Sequence, residues 1–226
     1  MRPVPLPAVT ARDRSAAPPV PADPPSSGEA EARPRRRADA ERNIAAILDA
    51  ALRCFTEDPQ ATMADVARAA GVGRVTLYAH FSSREQLLEA ALDRAIAEVA
   101  AASAAVDAEV TAAPAGVPAD EVLARYVRSS WWVLDRHRML FETAERSLPP
   151  ERLRAHHGPT LGDFDTLLAR GRDEGTFRTD LPVAWLTTVI YSLFHAAAQD
   201  VNVGRLPREE AADVLTATLL PLLRGD

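Results

Sequence analysis

From Ile44 to the end of the chain, apolar side chains recur three and four positions apart. The first stripe runs Ile44, Ile47, Leu48, Ala51, Leu52 and Phe55, which is one face of an amphipathic helix. The signals of strands, β-branched alternation and Asn-Gly or Asp-Gly turns, are missing. A chain with this period buries its apolar surface by packing helix on helix, so the expected fold is all-α. With 226 residues, 47% of them hydrophobic, there is material for one large domain or two small ones.

Helix boundaries follow from local chemistry. Asp39 is placed to cap the first helix and Pro59 to end it. Thr62 opens the second, with Asp65 three residues on as its capping-box partner. Gly71 stops that helix where a positive φ costs little. A short third helix, about 74–80, follows at once. Ser82 or Ser83 caps a long, Ala-rich fourth reaching about Glu109, and Pro114, Gly116 and Pro118 break the chain. Val122, Leu123, Tyr126, Val127, Trp131 and Leu134 stripe the next helix, and Met139, Leu140 and Phe141 sit in a short one. A broken helical region spans 151–174, interrupted near Gly158-Pro159, and the last two helices follow Pro182 and Pro207.

Composition removes whole classes of chemistry. All 26 basic residues are Arg, so a Walker A loop, a Schiff-base lysine and a Ser-x-x-Lys pair are excluded. Cys54 stands alone, which excludes a disulfide framework and a cysteine metal cage, and a buried inert thiol is the reading for it. His137, His156, His157 and His195 form no His-Glu-x-x-His pair, so no metal and no cofactor are expected. No apolar run reaches 18 residues and the N-terminal stretch lacks a signal-peptide core, which points to a soluble cytoplasmic protein. With no catalytic signature and no Lys, an enzyme on a helical scaffold is not the expectation.

Charge is unevenly spread. Nine of the 18 prolines lie in residues 1–34, a stretch poor in large apolar residues and expected to be disordered. From Arg33 to Arg84 nine Arg face six acids, +3, whereas from Glu85 onward 14 Arg face 22 acids, −8. A basic head on an acidic body is the asymmetry of a chain that touches nucleic acid at one end. The cluster Arg33, Arg35, Arg36 and Arg37 is either solvated charge or an arm reaching DNA.

Two short helices joined at Gly71-Val72 make a helix-turn-helix. Val72, Leu77 and Phe81 can pack inward, leaving Arg74, Val75, Thr76, Tyr78 and His80 on other faces, and these residue types suit phosphates and base edges. The run from Thr62 to Phe81, continuing Ser-Ser-Arg-Glu-Gln-Leu-Leu88, resembles the head of the TetR (tetracycline repressor) family of bacterial transcription regulators. The stripe from Ile44 to Phe55 is similar to that family's first helix, and the likeness covers about residues 40–95. In the body, Gly171-x-x-x-Gly-x-Phe-Arg-x-Asp-Leu-Pro182 is similar to the family's approach to its penultimate helix. Gly73 and Val75 depart from the Ser and Gly often found there; Val75 offers a methyl surface to a thymine.

The resemblance implies a role for each residue. Thr62 donates to a phosphate, Arg74, Val75 and Thr76 face base edges, Tyr78 and His80 contact phosphate, and Arg84 grips phosphate at the start of the fourth helix. It also implies three segments: a Pro/Arg-rich tail, 1–37; a helix-turn-helix domain, 38–84, with its motif at 62–81; and a helical regulatory and dimerisation body, 85–226. The implied protein is a homodimeric regulator, usually a repressor, that leaves a palindromic double-stranded DNA operator when a small apolar or aromatic effector binds. The alternative is a DNA-binding regulator whose body is a protein-interaction module without a small-molecule ligand.

Two expectations concern the body. The last two helices carry apolar faces wide enough for an intermolecular four-helix bundle, with Trp185 and Ile190 on one and Leu215, Leu219, Leu220, Leu222 and Leu223 on the other. Trp131, Trp132, Phe141, Phe164, Tyr191, Phe194 and His195 supply aromatic surface between helices where a ligand can sit. Trp131 and Trp132 point about 100° apart, so one belongs in the core and the other at a cavity or interface. Tyr191 and His195, four apart, can serve one cavity as polar handles.

Overall fold

The structure, a computed structural model, describes residues 27–113 and 116–224, with side chains from Asp39 onward. Among the described residues there are ten helices and no strand. They are α1 (Ser27–Glu57), α2 (Met63–Ala70), α3 (Arg74–His80), α4 (Arg84–Ala112), α5 (Ala119–Arg136), α6 (Arg138–Ser147), α7 (Pro150–His156), α8 (Gly158–Asp173), α9 (Val183–Asn202) and α10 (Ala211–Leu223). No helix among the described residues is long and apolar enough to cross a membrane.

The chain divides into two units, 1–39 and 40–226. The expectation of disorder covers 1–34; residues 1–26 and the side chains of Arg33 to Arg37 lie outside the described residues, whereas 27–34 are helical, which corrects that part of the expectation. The start of the first helix is corrected: α1 begins at Ser27 and not at Asp39, and runs through Pro34.

Unit 40–226 holds two cores. The first joins α1 to α4 with α6, around Ile47, Phe55, Leu77, Leu87 and Leu140. The second joins α5, α8, α9 and α10, around Leu123, Leu168, Leu186, Ile190 and Leu219. Helix α4 serves both, with Leu88, Leu92 and Ile96 in the first and Val106 in the second. Leu134 of α5 packs against both. A buried polar link crosses the same region. The Glu98 carboxylate of α4 accepts from His137 Nε2–H at 3.0 Å, and His137 Nδ1 lies 3.1 Å from Thr56 Oγ1 of α1.

The segment between α8 and α9 is set by a close approach. A Cβ on Gly171 would lie 2.0 Å from the Phe177 ring, so only glycine lets that ring seat on α8. Phe177 is thereby buried, and the Arg178 N–H reaches the Leu223 carbonyl at 2.8 Å, tying this turn to the end of α10.

Candidate nucleic-acid interface and body cavity

The helix-turn-helix is built from local chemistry. Thr62 Oγ1 accepts the Asp65 N–H at 3.3 Å, and Asp65 Oδ2 accepts the Thr62 N–H at 3.0 Å, closing the capping box. Gly71 sits at φ 68°, and the Val72 N–H returns to the Ala67 carbonyl at 3.0 Å, which aims α3 away from α2. Leu77 is fully buried and Phe81 nearly so, pinning α3 by one side.

The other side of α3 is the candidate reading face. Val75 is 85% exposed and Tyr78 49% exposed, and Arg74 is exposed at the first turn. Thr76 and His80 are half-buried at its flanks. Arg74, Tyr78 and His80 have no hydrogen-bond or ionic partner among the described residues, so their polar atoms face outward unspent. An exposed valine between an arginine and a tyrosine serves no packing purpose inside this chain.

Two expected phosphate ligands are otherwise engaged. The Thr62 hydroxyl donates to Asp65 Oδ2 at 2.6 Å, so its hydrogen is already used, and this bond holds the Asp65 carboxyl below the usual range. Arg84 folds back from the start of α4. Its Nε donates to the Ala61 carbonyl at 3.0 Å, its Nη2 to the Pro59 carbonyl at 2.5 Å, and its guanidinium lies 5.0 Å from the centre of the Phe55 ring. Both residues brace the α1–α2 turn, so the Thr62 hydroxyl hydrogen and the Nε and Nη2 of Arg84 are engaged within the chain.

In the body, a cavity of about 60 Å³ lies where the two cores meet. Ile96 and Phe141 line it from the first core; Phe164, Ile190 and Phe194 line it from the second. Phe141, Phe164, Tyr191, Phe194 and His195, five of the expected ligand residues, are brought together here. Trp131 and Trp132 are not, and their expected place as ligand contacts in this cavity is corrected. Trp131 is core, 5% exposed, while Trp132, 64% exposed, lies on the surface under the Arg136 guanidinium. Adjacent residues on a helix cannot share a face, and α5 turned the first inward.

Sequence reasoning missed His157. It separates α7 from α8, lines the cavity, and its ring meets Tyr191 and His195 at centroid distances of 5.2 and 5.6 Å. Its Nδ1–H donates to the Leu153 carbonyl at 2.8 Å, and burial pulls its pKa down to about 4, so the ring is neutral near pH 7. The helix break at Gly158-Pro159 was a signal that the adjacent residue faces inward at a corner. His195 donates its Nδ1–H to Glu145. Among the described residues no group of three or more His, Cys, Asp or Glu is arranged to hold a metal ion.

The expected dimer stripe is partly corrected. Leu215, Leu219 and Leu223 of α10 and Ile190 of α9 are buried inside the chain's own second core. Trp185, 56% exposed, and Val214 remain on the outer face of the two helices, with Leu220 and Leu222 half-buried beside them.

These features agree with what known proteins show. The family model described as bacterial regulatory proteins, tetR family, matches residues 47–91. The HTH-type transcriptional repressor LfrR of Mycolicibacterium smegmatis is 33% identical over 182 residues, spanning 79% of this chain and 89% of LfrR. The chain belongs to the tetR family. It is therefore a DNA-binding transcriptional regulator, and α2 and α3 are the helix-turn-helix of that family. The structure of LfrR from Mycobacterium smegmatis in complex with proflavine matches this regulator with a TM-score of 0.56 at 30% identity, over 79% of this chain and 95% of that one. The regulator FadR from Bacillus subtilis in complex with stearoyl-CoA matches with a TM-score of 0.63 at 19% identity, over 78% and 97%, which is likeness of fold.

Proposed function

We propose that this tetR-family regulator is a homodimeric repressor that holds a palindromic operator through α3 and releases it when a planar, largely apolar aromatic effector enters the body cavity. The observation that carries the reading is the position of that cavity. Its walls come from both the core of the DNA-binding head and the core of the body, so a ligand that spreads them acts on both at once. Arg74, Val75 and Thr76 read base edges in the major groove, and Tyr78 and His80 add phosphate contacts. The likeness to LfrR, crystallised with proflavine, supports an aromatic effector.

About 60 Å³ holds only one or two waters, whereas ligand sites run to about 300 Å³ or more. The cavity must therefore widen to hold such an effector. Its wall at His157, Thr160 and Leu161 adjoins α7, which is anchored in the first core by the buried Leu153 and tied to α4 by ion pairs, Arg152 to Glu85 at 2.7 Å and Glu89 at 2.9 Å, and His156 to Asp93 at 2.5 Å. Such pairs cost little to part, about 0–1 kcal/mol each.

The test is to select operator fragments with the full chain, then titrate proflavine into the protein–DNA complex and follow release by fluorescence anisotropy. Release at concentrations that leave other helix-turn-helix proteins bound is the expected result. Retention of DNA while a protein partner from the same cells dissociates it would favour the interaction-module alternative.

A further inference from the structure

The surface of the cavity is apolar almost throughout, but unpartnered hydroxyls lie buried just beneath it and come within reach of a ligand as the cavity widens. Of three buried hydroxyls without a hydrogen-bond partner among the described residues, Ser103, Ser130 and Thr160, two line this cavity: Ser130 of α5, 6% exposed, and Thr160 of α8, 7% exposed. A buried hydroxyl without a partner costs about 1–3 kcal/mol. Alanine or valine would fill either place without that penalty. His157, half-buried at the cavity's edge, adds a ring nitrogen that makes no hydrogen bond among the described residues. With Nδ1–H committed to the Leu153 carbonyl and the ring neutral, Nε2 is a bare acceptor.

The remaining lining sets the sign of the charge it can take. Ile96, Val99, Leu134, Leu161 and the phenyl rings are apolar, and no arginine lines the cavity. Arg154, 5.4 Å from the Tyr191 ring centre, bonds Thr188. The carboxylate nearest the lining is Glu145, on His195. An anion would find no counter-charge here, and a pure hydrocarbon would leave the two hydroxyls and Nε2 unpaired.

We propose that Ser130 Oγ, Thr160 Oγ1 and His157 Nε2 form the polar end of the effector site and select aromatic ligands bearing hydrogen-bond-donating amino groups over anionic or unsubstituted ones. This rests on the reading of the cavity as the effector site. Nε2 accepts an amine N–H, and the hydroxyls, each donor and acceptor, complete the amine's bonding.

The experiment titrates proflavine and acridine, the same ring system without the two amino groups, into the full chain by calorimetry. The wild type is compared with Ser130→Ala, Thr160→Val and the double variant. Loss of each hydroxyl lowers proflavine affinity roughly five-fold and leaves acridine affinity unchanged. Ring charge differs between the probes but is common to all proteins, so the variant comparison isolates the hydroxyls. The ligand-free variants melt at or above the wild-type temperature, because they remove unpaired groups, and this separates recognition from a structural role. If the double variant keeps the wild-type preference for proflavine, or if the wild type binds both probes equally, the inference is overturned while the cavity remains an aromatic-effector site. If the wild type binds neither, the effector reading falls and takes this inference with it.

Discussion

Single side chains divide the head into those that read and those that hold. Arg74 is exposed and unpartnered, so Arg74→Ala should cost about 1–3 kcal/mol on the cognate site and relax preference at one base pair per half-site, with random DNA less affected. Arg84 is spent on two carbonyls and the Phe55 ring. Arg84→Ala should therefore lower the urea midpoint, by about 1–2 kcal/mol of stability, and leave the salt slope of DNA binding unchanged; a shallower slope would return Arg84 to the phosphates. Only part of this was legible in the sequence. The Thr62–Asp65 box and the Gly71 stop are local patterns three to nine residues long, and both formed as the spacing dictates. The ties of Arg84 were not legible, because its partners are backbone carbonyls 23 and 25 residues away, which no side-chain pattern records. His157 gives a prediction of its own. Folding lowers its pKa from 6.5 to about 4, so the unfolded chain binds the extra proton first. Stability is complete above about pH 6.5 and declines as pH falls toward 4, by roughly 3 kcal/mol over the window. Melting curves between pH 7 and 4 should show this decline, and His157→Gln should flatten that part of it.

Among elements, the α8–α9 connection is the least tolerant of change. Gly171→Ala places a methyl inside the Phe177 ring, and the ring cannot retreat without freeing the turn that holds Arg178 on Leu223. The expected cost is about 1–3 kcal/mol of overpacking, read as a lowered urea midpoint. Relief by Phe177→Leu in the same chain would identify the ring as the cause, and an unchanged midpoint for Gly171→Ala would disprove the contact. Helix existence and order were legible from the 3–4 period and from Pro182, Gly71 and Ser83, because each is a short-range signal. What the period could not convey is the partner of each stripe. Leu215, Leu219 and Leu223 repeat at four-residue spacing whether they meet α5 or a second copy, and they meet their own second core. The adjacent Trp131 and Trp132 posed the same problem, settled only when α5 docked.

At the scale of the molecule, the proposed dimer would rest on apolar contact between bodies that carry like charge. Trp185 and Val214 are the large apolar groups left outside on α9 and α10. Trp185→Glu should shift sedimentation of the full chain from dimer toward monomer and weaken operator binding more than binding to a single half-site. A variant that sediments as the wild type does would place the interface elsewhere. The length of α4 sets the sensitivity of any such assembly. Its 29 residues make a rod about 43 Å long with the head at one end and the second core at the other. On a rod of that length a tilt of about 5° at the body end swings the head through about 4 Å. Two heads swung apart change their separation by up to about 8 Å, nearly a quarter of the roughly 34–36 Å between successive major grooves on one side of the duplex. Angular error at the body is thus multiplied into linear error at the DNA, so a molecule small enough to move one wall of a cavity is large enough to spoil the fit of the whole pair.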